Sequence, residues 1–251
     1  MQAKITSIYN EGSLEGTPLI GARGFAVLIE TDSQRVLFDT GRRGRYLLHN
    51  LMSLDIKPES IDKVVISHRH VNHTGGIEDF LRDREMPLNF YAPKSAMGDK
   101  RVFGRKGFII PRDLSDKADV YEVRDWMEIG NKLFISAPMS EDLGLTESFM
   151  VLMSRKGPIV ISACSHAGVA EVMEAVKKRF EMYPHAFIGG VHLGRDKEKA
   201  SKIASVFKEK NCLDLYLNHC TGVSGIMYLR KELSLKGVND FYVGTVLTMD
   251  I

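Results

Sequence analysis

Three histidines within six residues constrain the fold of this chain more than any other feature. His68, His70 and His73 follow a short β-branched run at residues 63–67, and two glycines come soon after them. Histidines at positions i and i+2 of an extended segment point the same way, and a third can reach across as the chain turns into a helix. Because neutral imidazoles bind borderline cations such as zinc, the pattern predicts a metal-binding loop between a strand and a helix. Its position directly after a buried strand argues against three surface histidines grouped by chance.

Short apolar strands flank this loop on both sides. The strands are predicted at residues 3–9, 24–30, 34–38, 63–67, 88–92, 132–136, 148–154, 158–163, 186–188, 213–217 and 241–247. A helical segment follows the histidines at residues 77–81, and two amphipathic helices are predicted around residues 169–180 and 200–207. Each sheet must cover both of its faces, so strand-rich blocks followed by helices predict an α/β fold with two sheets packed face to face and helices outside.

Composition sets the class of protein. With 251 residues, 44% of them hydrophobic, and no linker, we expect a single domain over residues 1–251. The 34 basic and 32 acidic residues give a net charge of +2, so neither a polyanion-binding field nor a nucleic-acid partner is expected. The sequence has no apolar run of membrane-spanning length and no signal-peptide core, which predicts a cytoplasmic protein that does not bind membranes. Three cysteines are an odd number and do not suggest a disulfide scaffold.

Motifs along the whole chain carry a family resemblance. The histidine cluster is joined by Leu-Phe-Asp-Thr-Gly at residues 37–41, Ser-Ala-Cys-Ser-His-Ala-Gly at 162–168, Gly-Gly-Val-His-Leu at 189–193 and His-Cys-Thr-Gly at 219–222. Together they resemble the metallo-beta-lactamase superfamily, in particular a branch named for a dihydropterin ribofuranosyl-aminobenzene phosphate synthase. The resemblance covers about residues 3–246, with its motifs in the expected order. It implies a four-layer αββα sandwich of two mixed sheets.

The resemblance also implies a set of metal ligands. His68, His70 and His166 would form one site, and His73 and His219 would belong to a second. His166 and His219 each follow a predicted strand, so both can reach one edge of the sandwich. We therefore expect one or two divalent ions, zinc first, with iron, manganese or nickel as alternatives because the same nitrogen ligands accept them.

Two positions depart from the family pattern. Asn72 stands where the family has Asp, and a neutral amide neither balances a second cation nor serves as a general base. No acidic residue occupies the place of the bridging carboxylate that many members have, and Cys164 stands roughly there instead. Its thiolate is a good ligand for zinc or iron, whereas a buried cysteine beside a metal loop is often a small apolar filler. Both interpretations of Cys164 remain open at this stage.

Two further residues are candidates for the chemistry. Asp39 could hydrogen-bond the second nitrogen of a ligand histidine and fix its orientation, or merely cap a turn. We favour the first role because the resemblance puts this aspartate under the metal loop. His192 could support its loop, contact substrate or bind metal. With Asp absent at position 72, deprotonation of a water would depend on the metal itself, on Asp39 or on His192.

Basic residues suggest the substrate. Residues 94–112 contain six cations and one acid: Lys94, Lys100, Arg101, Arg105, Lys106 and Arg112 against Asp99. They could bind a phosphate or form a solvated loop, and Arg42, Arg43 and Arg45 pose the same ambiguity. No serine nucleophile elbow or phosphate-binding P-loop motif is present. We predict a metal-dependent hydrolase of a small-molecule ester, with phosphoesters as the preferred substrate class and cyclic esters or lactones next. The alternatives are a pterin-related synthase or transferase, or a degenerate metal-binding domain without catalysis.

Overall fold

The computed structural model describes residues 1–98, 106–140, 145–234 and 237–251. The strands, numbered along the chain, are β1 (Gln2–Tyr9), β2 (Ala26–Thr31), β3 (Gln34–Phe38), β4 (Lys63–Val65), β5 (Leu88–Pro93), β6 (Ala118–Val123), β7 (Met127–Gly130), β8 (Leu133–Ile135), β9 (Met139–Ser140), β10 (Thr146–Glu147), β11 (Met150–Ser154), β12 (Gly157–Ser162), β13 (Ala186–Gly189), β14 (Asp214–Leu217), β15 (Val238–Asp240) and β16 (Val246–Asp250). The α-helices are α1 (Gly44–Ser53), α2 (Val71–Thr74), α3 (Ile77–Arg82), α4 (Val169–Phe180), α5 (Lys197–Glu209) and α6 (Gly222–Glu232). Short 3₁₀ turns occur at Pro58–Ser60, Lys94–Ala96, Arg112–Lys117 and His219–Thr221.

Most strands belong to two seven-stranded mixed sheets. The first sheet has the order β16-β1-β2-β3-β4-β5-β6, antiparallel up to β3 and parallel beyond it. The second has the order β15-β14-β13-β12-β11-β8-β7, parallel from β15 to β12 and antiparallel beyond. The C-terminal β16 pairs with β1, so the first and last strands of the chain are neighbours in the first sheet.

Alternating side chains build the layers of the sandwich. In β2, Val27 and Ile29 enter the core between the two sheets, whereas Ala26 and Leu28 face the outer helices. This alternation is the period of a strand with both faces covered. The first sheet is covered by α1 and α3, and the second by α4, α5 and α6. The predicted αββα sandwich is therefore confirmed.

The prediction of a single strand at residues 241–247 is wrong. The chain leaves the second sheet at the end of β15, crosses between the sheets and enters the first sheet as β16. One strand cannot pair in both sheets, and Gly244, with φ of +93°, breaks the extended conformation on the way. The apolar residues of this crossing, Phe241 and Val243, are buried all the same. The apolar pattern thus marked burial and not strand pairing.

The parallel strands bring the predicted site residues to one edge. In parallel strands the carboxyl ends lie side by side, and ligands bind at that edge in α/β proteins. Asp39 and His68 follow β3 and β4, which are neighbours in the first sheet. His166, His192 and His219 follow β12, β13 and β14, which are neighbours in the second sheet. No helix among the described residues is long and apolar enough to cross a membrane.

Candidate metal centre

The five histidines predicted to bind metal come together at this edge. The ring centroids of His68 and His73 are 4.2 Å apart, and that of His68 lies 4.9 Å from that of His166. The rings of His73 and His219 are also 4.9 Å apart, and His70 Nδ1 lies 3.0 Å from His68 Nε2. His73 and His219 are 146 positions apart in the chain, yet their Nε2 atoms lie 3.2 Å from each other.

Their donor atoms fall into groups that could each hold an ion. His68, Cys164 and His166 form one such group, and His73, Cys164 and His219 form another, with ligand atoms within 4.8 Å of one another in each. His68 and His166 share one group, His73 and His219 share the other, and Cys164 belongs to both; these groups do not include His70, which the resemblance implies for the first site. Metal binding by these residues remains a prediction.

Asp39 fixes the orientation of two of the histidines. It is fully buried, and its Oδ2 lies 2.7 Å from His73 Nδ1. Its two oxygens also accept hydrogen bonds from the backbone N–H and the hydroxyl of Ser67, at 2.8 and 2.7 Å. Since the Ser67 hydroxyl proton goes to Asp39, the Ser67 oxygen accepts from His68 Nδ1, 2.8 Å away. Both histidines therefore turn an Nε2 lone pair toward the centre.

Glu11 plays the same part for His219. Its Oε2 lies 3.0 Å from His219 Nδ1, so that His219 Nε2 faces inward, 3.2 Å from His73 Nε2 and 3.1 Å from Asn72 Nδ2. Two nitrogen lone pairs at 3.2 Å repel each other unless a proton or a metal ion lies close to both. This arrangement of the donors fits a metal ion. Sequence reasoning missed Glu11, since it lies 208 positions from its partner and no motif contains it.

Burial and neighbouring charges set the protonation of these rings. Burial, and after it the nearby histidines, hold the pKa of His68 and of His73 well below the usual value. Burial also acts to lower the pKa of His219, but the hydrogen bond to Glu11 and nearby acidic groups outweigh it and raise that pKa. Burial raises the pKa of Asp39, and the hydrogen bonds from Ser67 oppose this. Neutral rings are the form that binds metal.

Glu147 holds the loop that carries Cys164 and His166. Its carboxyl group is buried and accepts hydrogen bonds from the backbone N–H groups of Cys164, Ser165 and His166, at 2.8, 3.2 and 2.8 Å. Burial raises the pKa of Glu147 to about 7, against the effect of these hydrogen bonds. Sequence reasoning also missed this residue. An acidic residue just before an apolar strand was the available signal.

Cys164, His192 and Cys220 form a third group of possible ligand atoms, again within 4.8 Å of one another. Cys164 Sγ lies 3.5 Å from His73 Nε2, and the backbone N–H of His192 donates to Cys220 Sγ at 3.2 Å. Burial raises the pKa of Cys164 well above its usual value. The ring of His192 is exposed and lies 4.6 Å from that of His166. His192 thus stands beside the histidine cluster, at its open side.

A cavity of about 970 Å³ opens over the centre. His70, Asn72, Cys164, His192, His219 and Cys220 line it, together with the cations Arg23, Arg42, Arg69 and Lys106. Backbone hydrogen bonds tie the arginine-bearing loops to the metal loop, because Phe25 N–H donates to the carbonyl of Asn72 and Gly41 N–H donates to that of Phe25. In the described part of the chain, Arg23 and Arg42 form no ion pair.

The other basic residues of interest divide between three places. Arg43 and Arg45 lie against the ring of Tyr46, with 5.5 and 4.9 Å from guanidinium carbon to ring centroid, and do not line the cavity. Of residues 94–112, Lys106 lines the cavity, whereas Lys94 and Arg112 do not. The remaining charged residues of that segment, Asp99, Lys100, Arg101 and Arg105, lie outside the described residues.

Comparisons with known proteins agree with this architecture. The family model of the metallo-beta-lactamase superfamily matches residues 20–177. A 7,8-dihydropterin-6-methyl-4-(beta-D-ribofuranosyl)-aminobenzene-5'-phosphate synthase of Methanocaldococcus jannaschii is 24% identical, with 87% of each chain covered. An uncharacterized protein of the same organism is 28% identical, with 89% of this chain and 91% of the other covered. A solved structure described as a metal-dependent hydrolase of the beta-lactamase superfamily superposes with a TM-score of 0.81 at 25% identity, covering 98% of each chain.

Proposed function

Because the chain belongs to the metallo-beta-lactamase superfamily, we propose that it is a metal-dependent hydrolase of a small phosphoester. The observation that carries this proposal is the cavity itself, because histidine imidazoles and arginine guanidinium groups line the same space. The proposed ligands are His68, His70, His73, His166 and His219. A divalent ion bound there would supply Lewis acidity and make a water molecule nucleophilic at neutral pH. Zinc suits this nitrogen-rich set, and iron, manganese and nickel remain alternatives.

Charge in the cavity supports an anionic substrate. Among the described residues that line the cavity, the two acidic ones are engaged, Glu11 with His219 and Glu78 with Arg82 at 2.9 Å. Arg23 and Arg42 are exposed, and a guanidinium group offers paired N–H donors whose geometry matches phosphate oxygens. We propose that these two arginines bind the non-bridging oxygens of the phosphate. A neutral ester would gain nothing from them.

The remaining predicted catalytic residues have separable roles. Asp39 is sealed from the cavity by Ser67 and His73, so we assign it the positioning of His73 and not proton transfer with substrate. His192 stands exposed at the cavity, and we propose that it moves the proton that Asn72 cannot take. The Asn72 amide borders the same space and can donate a hydrogen bond to a substrate oxygen.

The cavity size supports a small molecule as substrate, because 970 Å³ lies within the range of small-molecule sites. A cytoplasmic location and the lack of a nucleic-acid partner remain predictions from composition.

Arginine removal tests the phosphoester proposal. We expect Arg23→Gln and Arg42→Gln, each made singly, to lower kcat/KM for p-nitrophenyl phosphate or its diester by about 10–150-fold, since a hydrogen bond to a charged group contributes about 1.5–3 kcal/mol. Hydrolysis of p-nitrophenyl acetate should change little. Arg155→Gln is the control, because Arg155 is exposed at the turn between β11 and β12, at the opposite end of β12 from the centre. Equal losses on both substrates, or no phosphoesterase activity in metal-loaded protein, would refute the proposal.

A synthase function is the second candidate. It is favoured by the relative named as a dihydropterin ribofuranosyl-aminobenzene phosphate synthase, which matches 87% of this chain. The cavity has room for two ring systems, and a phosphate on the substrate would use the same arginines. Quenching of dihydropterin fluorescence on titration with the protein, together with coupled product and no hydrolysis, would favour this function. Bound metal without turnover of any tested substrate would favour a non-catalytic metal-binding domain.

A further inference from the structure

We propose that Cys164 Sγ is a metal ligand shared by both ion positions, in the place of a bridging carboxylate. The inference rests on the metal binding proposed above, and it assigns a role to a residue whose chemistry the sequence left open. It also implies that the centre prefers thiophilic ions such as zinc and iron over manganese or magnesium.

The geometry singles out this sulfur. In the part of the chain that the structure describes, Cys164 is common to the three groups of possible ligand atoms, one with His68 and His166, one with His73 and His219, and one with His192 and Cys220. Its Sγ lies 3.5 Å from His73 Nε2, the nitrogen that Asp39 leaves without a proton. Three backbone hydrogen bonds to Glu147 hold the Cys164 loop in position. A sulfur placed between two sets of imidazoles can contact an ion in either.

Charge balance favours such a ligand. Imidazole and amide ligands are neutral, and a negative ligand lowers the cost of holding a divalent cation away from bulk water. Among the described residues, the groups able to hold an ion contain histidine and cysteine and no carboxylate. Asp39 and Glu11 act only on the far nitrogens of His73 and His219. The thiolate of Cys164 is therefore the anion that reaches both positions directly. On coordination the thiol would release its proton to solvent, and the positive charge of the ion would offset the cost of burying the thiolate.

The other two cysteines lack this placement. Cys212 follows the end of α5 and is buried among apolar side chains. It therefore fits the role of a small apolar filler, which was the alternative interpretation of Cys164. Cys220 reaches one group only, and its Sγ accepts the N–H of His192. The chain thus provides one proposed bridging cysteine, one control in Cys212 and one rival ligand in Cys220.

Cobalt substitution tests the assignment by spectroscopy, independently of activity. Apoprotein kept reduced is loaded with Co²⁺, and metal content and near-ultraviolet absorption are measured for wild type, Cys164→Ser, Cys212→Ser and Cys220→Ser, with folding checked by circular dichroism. We expect thiolate-to-cobalt absorption in wild type and Cys212→Ser, and its loss in Cys164→Ser. In Cys164→Ser, the affinity for the more weakly held ion should fall by at least about 10–100-fold, which is the loss typical of removing a residue that supports a metal ligand. Cys164→Asp should recover the ion without the absorption.

The outcomes separate this inference from the proposed function. Stoichiometric Co²⁺ without thiolate absorption in wild-type protein would overturn the inference and leave a metal-dependent hydrolase intact, and it requires no variant to fold. Absorption that survives in Cys164→Ser and disappears in Cys220→Ser would overturn it as well. Wild-type protein that binds no metal would overturn both proposals. Loss of absorption in Cys164→Ser with recovery of the ion in Cys164→Asp would support a shared thiolate.

Discussion

The hydrogen bonds of Asp39 predict the effect of replacing its carboxylate with an amide. In Asp39→Asn, one amide atom would face the N–H of Ser67, and the other would face both the Ser67 hydroxyl and His73 Nδ1. The Ser67 backbone cannot change from donor to acceptor, so the amide nitrogen must face His73. His73 would then move its proton to Nε2 and lose the lone pair that faces the centre.

Outer partners of metal ligands typically contribute about 10–100-fold in affinity, or about 1.4–2.7 kcal/mol. We expect Asp39→Asn to weaken zinc binding by this amount in a competition titration with a chromophoric chelator. Asp113→Asn is the control, because Asp113 is an exposed acid paired with Arg82 at 2.8 Å. A folded Asp39→Asn protein with wild-type zinc affinity would show that Asp39 does not set the proton position of His73.

Three other changes have expected outcomes. Asn72→Asp should raise the occupancy of the second ion, because it adds a negative charge about 3.1 Å from His219 Nε2. Unchanged metal stoichiometry would count against the placement of residue 72 beside that ion. Glu147→Gln should lower the free energy of unfolding by about 1–3 kcal/mol, because the new amide nitrogen would face the backbone N–H of either Cys164 or His166. An unchanged urea midpoint would contradict this expectation. Removing metal with a chelator should lower the unfolding free energy by about 2.7 kcal/mol relative to metal at 100 times Kd, and a melting temperature that does not change would argue against a metal centre.

Local patterns in the sequence predicted two packed sheets with helices outside, and the family resemblance implied the four-layer sandwich. The alternation of apolar residues in β2 and the helical spacing in α4 depend on neighbours a few positions away, so they can be recognised without coordinates. The histidine motif and the order of the other motifs identified the family for the same reason. The strand predicted at residues 241–247 failed because burial and pairing differ there: the chain is apolar while it passes from one sheet to the other.

The sequence by itself determined which residue types could form a metal centre and at which strand ends they would lie. Only the tertiary structure decided their partners. Glu11 reaches His219, and Glu147 caps the loop of Cys164, because two sheets pack face to face and bring distant loops together. The tertiary structure also decided that Arg23 and Arg42 line the cavity, whereas Arg43 lies against Tyr46. Side-chain contacts between remote segments depend on how the sheets pack, and no pattern of neighbouring residues encodes that packing.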